Sequence, residues 1–439
     1  MNYKFKCRLP VALAIICAMA GSSCSFVRLR GNVQQIEKHG VVTVEASPVS
    51  PSAPTYALAW VRNAKGSNEL AAFNRLETNG LAIFLLLQDR TYSIGAFTDV
   101  NGNGRYDGGE PVDVLRDIRP APLADTKASA TTRQLRLSPT NGLPRGQSIA
   151  LPPENEDLGA SLALTLGSIA DLDAEKFSAD TGQKGMWQPY TFLREHGIGI
   201  YFLEPYDPKK LPVVFVNGIS GSFQDWRPIL GKLDRSKYQP WLFYYPSGIR
   251  LDKAANTLAG GLLQLRQQHS FDRLVVVAHS MGGLIARTAI QRAAVAAGTN
   301  FIPEFVTIST PWAGHTAAAT GVKYARYPVP AWRDMSPGSE FLKELLAQPL
   351  PEGTRHDLMF GYRSSGGFGL PEDNDGVVAV SSELAEPVQG QAASVFGLHL
   401  NHDEILQSPI VLQRLEEFLG RMRGTAEAPH GIKAGGQAK

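Results

Sequence analysis

Leu274-Val275-Val276-Val277-Ala278-His279-Ser280-Met281-Gly282-Gly283-Leu284-Ile285-Ala286-Arg287 is the stretch on which the fold turns. An unbroken apolar run predicts a buried strand, Leu284-Ile285-Ala286 after two glycines predicts a helix, and Ser280 stands between them. A serine in such a turn needs neighbours without bulk, because strand and helix close on each other while its Oγ projects outward. Ala278 and Gly282, two residues to either side, meet that need. The helix N-terminus also aims free backbone N–H groups at the same point, where negative charge can be held.

Outward from this stretch, strands alternate with helices from about residue 190. Ile198 to Leu203, Val213 to Val216, Trp241 to Tyr245, Phe305 to Ile308 and Val395 to Leu398 are short strand-like runs, and Ala254 to Gln267 carries a broad helical apolar face. Such alternation predicts an α/β layer fold with a mainly parallel sheet.

The strand, serine and helix resemble the nucleophile turn of the α/β-hydrolase superfamily, in particular bacterial lipases and esterases, with Ala278 in place of the first glycine of Gly-x-Ser-x-Gly. Three further segments carry the likeness. Leu211 to Ser222 is a strand running into Asn217-Gly218-Ile219, and the resemblance implies that the backbone amides of Ile219 and Met281 form an oxyanion hole. Asn217 stands where the family often has His, which leaves open how that loop is braced. Acid and histidine follow the serine in this fold. Asp373-Asn374-Asp375-Gly376-Val377-Val378 resembles the acid-bearing segment of bacterial triacylglycerol lipases, which implies Asp375 as the acid with Asp373 as reserve. Leu398-His399-Leu400-Asn401-His402-Asp403 matches the Asn-His pattern, which implies His402 as the base. His399 then becomes a packed or hydrogen-bonded residue, Asp403 a residue at a helix N-terminus, and His279 a structural neighbour of the serine.

The resemblance covers roughly residues 190 to 420. It implies an α/β-hydrolase fold with a lid or cap insertion at about residues 312–352, rich in Trp312, Tyr324, Tyr327, Trp332, Met335, Phe341, Leu342, Leu345 and Leu346. Two readings of that segment stand: a cover over an apolar cleft, or a helical cap that only packs on the core.

Residues 25–140 read instead as a small all-β sandwich. Val41 to Glu45, Thr55 to Val61, Leu81 to Leu87 and Thr91 to Phe97 have strand composition, with prolines between. Residues 141–189 read as linker and lead-in, 190–423 as the catalytic domain and 424–439 as an unstructured tail. Asp99, Asn101, Asn103, Arg105 through its carbonyl, Asp107 and Glu110 satisfy the spacing of a twelve-residue calcium loop, with Gly104 at the bend. A strand leads into it, so the expectation is a loop joining strands, holding structural Ca2+ or closed by Asx and Gly turns alone.

With 439 residues, a formal charge of +2 and 19% charged residues, the chain gives no electrostatic reason to bind nucleic acid. All three cysteines, Cys7, Cys17 and Cys24, lie at the start, which excludes a disulfide framework and a cysteine-built zinc site. Lys4, Lys6 and Arg8 before the apolar Leu9–Ala20 run predict an export signal. Gly21-Ser22-Ser23-Cys24 resembles a lipoprotein box, after which a lipidated Cys24 would hold the protein to the bacterial outer membrane. Cleavage after Ala18-Met19-Ala20 is the competing reading, and leaves a periplasmic or secreted protein.

The expectation is an exported serine hydrolase of lipid or fatty-acyl esters, working through an acyl-enzyme and needing no cofactor for catalysis. An amidase or acyltransferase could use the same residues. A non-catalytic surface binding protein with a degenerate hydrolase domain is the reading from another class, and the ordered set Ser280, Asp375, His402 argues against it.

Overall fold

The computed structural model describes residues 23–424, apart from 49, 51, 63–67, 77–79, 123–132, 144–149, 152–160, 163, 365–369 and 371–372. The export segment and the expected tail beyond Gly424 lie outside the described residues, and Cys24 enters only through the backbone of a helix, Ser23–Lys38.

Runs rich in β-branched and aromatic residues form the N-terminal strands: β1 (His39–Ser47), β2 (Thr55–Arg62), β3 (Asn68–Arg75), β4 (Leu81–Leu87), β5 (Tyr92–Thr98), β6 (Val112–Ile118), β7 (Ala121–Pro122), β8 (Arg133–Arg136) and β9 (Ser161–Leu162). One sheet runs β7-β1-β4-β9 with β8 also on β1, and the other runs β3-β2-β5-β6. Val42, Val44 and Phe84 from the first pack with Ala57, Ala59, Ile94 and Ala96 from the second, which makes the expected sandwich. The alternate side chains of β4, Ile83 and Leu85, turn the other way and join the core of the catalytic unit. Leu81 to Leu87 is therefore buried on both faces, which explains its unbroken apolar run.

The unit does not begin with a strand. In the helix Ser23–Lys38, Leu29, Val33 and Ile36 fall on one face and bury against the catalytic core.

The second unit is built on β10 (Leu164–Ile169), β11 (Ile198–Phe202), β12 (Leu211–Val216), β13 (Tyr238–Tyr244), β14 (Val275–His279), β15 (Glu304–Ile308), β16 (Arg355–Gly361) and β17 (Ser394–Leu398). They form one sheet in the order β10-β11-β13-β12-β14-β15-β16-β17, in which every pairing is parallel except β11 with β13. Residues 141–189 are thus more than a linker: they supply the edge strand β10 and the helix Ala179–Trp187. Gly167, at φ 82°, interrupts β10 and hides its strand pattern in the sequence.

Helices cover both faces. Val214, Val216, Val276 and Ala278 point to the side of the helices Leu251–His269 and Met281–Ala297, while Val213, Phe215, Val275 and Val277 point to the side of Pro409–Gly424. The expected insertion forms three short helices, Thr316–Tyr324, Pro330–Met335 and Glu340–Ala347. Trp312, Trp332, Met335, Phe341, Leu342 and Leu345 are buried in the same cluster as the helix after the serine, with Leu346 packed at its margin, so these residues pack on the core. Tyr324 is exposed and Tyr327 half-buried.

Candidate active site

Ser280 sits between β14 and the helix Met281–Ala297 at φ 54° and ψ −133°, a strained backbone for a residue with a side chain. Its N–H donates to the Ile308 carbonyl at 2.8 Å, which locks the turn to β15. The crowding expected from the sequence is real. A Cβ on Gly282 would lie 2.4 Å from the Val216 carbonyl oxygen, and one on Gly218 would lie 2.7 Å from the Ser280 Cβ.

Gly218 therefore presses the Asn217-Gly218-Ile219 loop onto the serine, with Ile219 next in line and Met281 opening the helix. An N–H in the first helical position has no acceptor within its own helix and is free for a ligand. The brace that Asn217 left open comes from the segment after β13. Tyr245 donates its hydroxyl to the Asn217 carbonyl at 2.6 Å, and the Ser220 N–H donates to Ser247 Oγ at 2.9 Å.

Asp375 and His402 come together. His402 Nδ1 lies 2.5 Å from Asp375 Oδ2, and the His402 N–H donates to the Asp375 carbonyl at 2.9 Å. The other carboxylate oxygen of Asp375 accepts from the Val377 and Val378 amides at 2.9 and 2.7 Å. Burial pushes the Asp375 carboxyl up, but the charge and hydrogen bond of His402 and the two amides outweigh it, so the net shift is down. Burial pushes His402 down, but the Asp375 charge and hydrogen bond outweigh that too, and its net shift is up. Asp373, the reserve, is exposed, and its carbonyl accepts from the Val380 N–H at 2.9 Å.

The two other histidines divide differently from expectation. His279 is structural, with Nε2 3.0 Å from the His402 carbonyl and its ring 4.7 Å from that of His402. Burial, followed by the nearby His402 charge, lowers it to about 3, so it is a neutral ring and Nε2–H is the donor. His399, expected to be packed or hydrogen-bonded, is exposed, with its ring 5.4 Å from that of Tyr362. Asp403 does precede a short helical turn, but Asn401 caps it, accepting from the Asp403 and Glu404 amides at 3.2 and 2.9 Å.

Several contributors escaped the sequence reading. His315, at the start of the first cap helix, reaches the Val377 carbonyl from Nε2 at 2.7 Å and so steadies the acid loop. Glu383, buried beside Asp375 and Ser309, has its carboxyl driven well up by burial and then by the Asp375 charge. Tyr245, Ser247, His315 and Glu383 act across gaps in the chain that no spacing rule covers.

In the 99–110 loop, Asp99 accepts from the Gly102, Asn103 and Gly104 amides at 2.8, 3.1 and 2.8 Å, and Glu110 from the Val100 and Asp107 amides at 2.8 and 2.9 Å. Asn101 and Asn103 donate to Asp107 at 2.6 and 2.7 Å, and Arg105 N–H donates to the Asn103 side chain at 2.8 Å. Among the described residues no three acid, histidine or cysteine side chains converge on one metal position.

Residues 206–333 match the family described as "Putative serine esterase (DUF676)". No curated protein sequence matches the chain. Among solved structures, the mature lipase BlEst2 of Bacillus licheniformis is 18% identical, with 50% of this chain and 97% of that one covered at a TM-score of 0.40. The Pyrococcus furiosus esterase PF2001 is 20% identical over 49% of this chain and 83% of its own, TM-score 0.35. The Legionella pneumophila phospholipase PlaB is 18% identical over 40% of this chain and 44% of its own, TM-score 0.32. With a helix-flanked, mainly parallel sheet, a strained serine between strand and helix, and a serine esterase family match over residues 206–333, which hold that serine and four strands of the sheet, the chain carries an α/β-hydrolase unit and is an ester hydrolase.

Proposed function

We propose that Ser280, His402 and Asp375 act as a catalytic triad and that the substrates are carboxylic esters with fatty-acyl groups. The observation that carries the triad is the buried His402–Asp375 pair, whose histidine packs against the residue before the strained serine. Ser280 Oγ attacks the acyl carbon while His402 Nε2 takes its proton, and Asp375 holds the imidazolium that forms. The amides of Ile219 and Met281 hold the negative oxygen. Collapse expels the alcohol, which takes the proton from His402; a water activated by the same ring then hydrolyses the acyl-enzyme. No cofactor enters these steps. The fatty-acyl assignment is supported by the likeness of the Asp373–Val378 and Leu398–Asp403 segments to the acid and histidine segments of bacterial triacylglycerol lipases. Nitrophenyl esters of short and long acids, with matching amides, test it: rates should rise with chain length and favour esters. Preference for short esters would remove the lipid assignment, and preference for amides would make the enzyme an amidase.

Export and membrane anchoring at Cys24 belong to the same proposal, supported by the leader and the lipoprotein-like box. Mass spectrometry of the mature N-terminus should find acylated Cys24; a start at Gly21 with a free thiol would defeat the anchor. Calcium in the 99–110 loop is supported by oxygen ligands at alternate positions, provided the Asn101 and Asn103 amides turn their oxygens inward. Calcium should then raise the unfolding midpoint over that in chelator, and an unchanged midpoint would rule out a stabilising site.

A further inference from the structure

The helix Ser23–Lys38 buries Leu29, Val33 and Ile36, which turns Arg28 and Arg30 to solvent, with Val27 66% exposed beside them. Next to this face lies the end of the first cap helix, where Lys323 and Arg326 are exposed and Tyr324 is 66% exposed. The two segments meet at one ring. The Arg30 guanidinium stands 5.2 Å from the centroid of Tyr327 and that of Arg326 stands 5.7 Å from the same centroid, while the Lys323 amine lies 5.0 Å from the Tyr324 ring.

Both guanidiniums rest against the one Tyr327 ring, which puts them no more than about 11 Å apart, and their like charges favour an anion beside them. Neither segment supplies one at the ring: the acid of the helix, Glu37, lies about 10 Å along its axis from Arg30, and residues 312–333 contain no Asp or Glu. The first carries Arg28 and Arg30, the second Lys323, Arg326 and Arg333, in a chain whose overall formal charge is only +2. Positive charge is thus concentrated here by the fold, from segments about 300 positions apart in the chain.

We propose that this face docks on a membrane surface containing anionic phospholipid, with headgroup phosphates between Arg30 and Arg326 and with Tyr324, Tyr327 and Val27 at the headgroup level. Arginine pairs well with phosphate oxygens, tyrosine suits the water–lipid boundary, and basic residues near an anionic leaflet each add to the attraction. Exposed apolar and aromatic groups set among the cations favour a lipid surface over an acidic protein, for which charge alone would serve. The inference adds to the anchoring proposal without depending on acylation. Cys24 lies in the first turn of the same helix, about 6–9 Å along its axis from Arg28 and Arg30, so an anchor and this face would engage the same membrane.

The test is co-sedimentation of the exported full-length protein with phosphatidylcholine vesicles, alone or containing phosphatidylglycerol. Any acyl anchor contributes to both, so the ratio isolates the patch. Phosphatidylglycerol should raise binding about tenfold or more, the gain should fade as salt rises, and the triple variant R30Q/K323Q/R326Q should lose it. Hydrolysis of a water-soluble nitrophenyl ester by that variant should stay at the wild-type rate, which separates this inference from the esterase reading. Equal binding to both vesicle types, or a gain that survives the triple substitution, would overturn it.

Discussion

At the scale of single residues, the chemistry hangs on the charge state of one imidazole. In the proposed triad only neutral His402 accepts the serine proton, so activity should appear as pH rises through its pKa. Burial lowers that pKa but the adjoining Asp375 outweighs it, so the acid limb of kcat/KM should inflect above the ordinary histidine value of 6.5. Asp375→Asn takes away the charge and leaves the burial. Its inflection should move down, and kcat should fall by about 10⁴-fold; an unmoved inflection would show that Asp375 is not the partner. His279 works through main chain rather than substrate. His279→Phe removes the donor to the His402 carbonyl and should lower kcat about 10²-fold with little change in KM, and His279→Asn, which keeps a donor, should recover part of the loss. Full activity in His279→Phe would make that contact incidental.

At the scale of elements, the cap is fastened to the catalytic sheet by an ion pair that the sequence did not announce. Arg250 ends the loop after β13, and its Nε donates to Asp334 Oδ2 in the second cap helix at 3.0 Å, alongside the Leu251 N–H at 2.7 Å. Asp334 is 1% exposed, and burial lifts its carboxyl to about 6 even with Arg250 beside it. Arg250→Ala strands that group and should cost about 3–5 kcal/mol in denaturant unfolding; a loss below about 1 kcal/mol would mean that water replaces the guanidinium. What was legible in the sequence follows the same division. Val275 to His279 and the serine turn could be read because apolar run, small neighbours and helix all lie within one window. Asp375 and His402 were found through motif likeness, and their meeting is a long-range event. The helix Ser23–Lys38 was missed because only Leu29, Val33 and Ile36 mark its buried face, and β10 because Gly167 breaks its run. Tyr245 and His315 were beyond reach, since each acts by one hydrogen bond to a carbonyl far along the chain.

At the scale of the whole molecule, the end of the sheet away from the serine holds a second buried acid pair. Glu304 on β15 and Asp357 on β16 are both fully buried, and Arg421 of the last helix reaches both, Glu304 at 3.3 Å. Burial first, then the hydrogen bond and charge of Asp357, raise Glu304 from 4.5 to about 9, so it keeps its proton when folded and loses it when unfolded. A carboxyl raised in this way stabilises the fold fully below its unfolded pKa, and that stability drains as pH climbs toward 9. Melting temperature should therefore fall between pH 5 and 9, and Glu304→Gln should flatten the slope; parallel curves for the two proteins would disprove a shared proton. None of this bears on whether Ser280 is the nucleophile, which is the central claim. Intact-protein mass spectrometry after treatment with a fluorophosphonate probe reads it directly, because attack by Oγ on phosphorus expels fluoride and leaves one covalent adduct. The native protein should gain a single adduct on Ser280, and Ser280→Ala should gain none; an unlabelled native protein, or labelling that persists in Ser280→Ala, would contradict it.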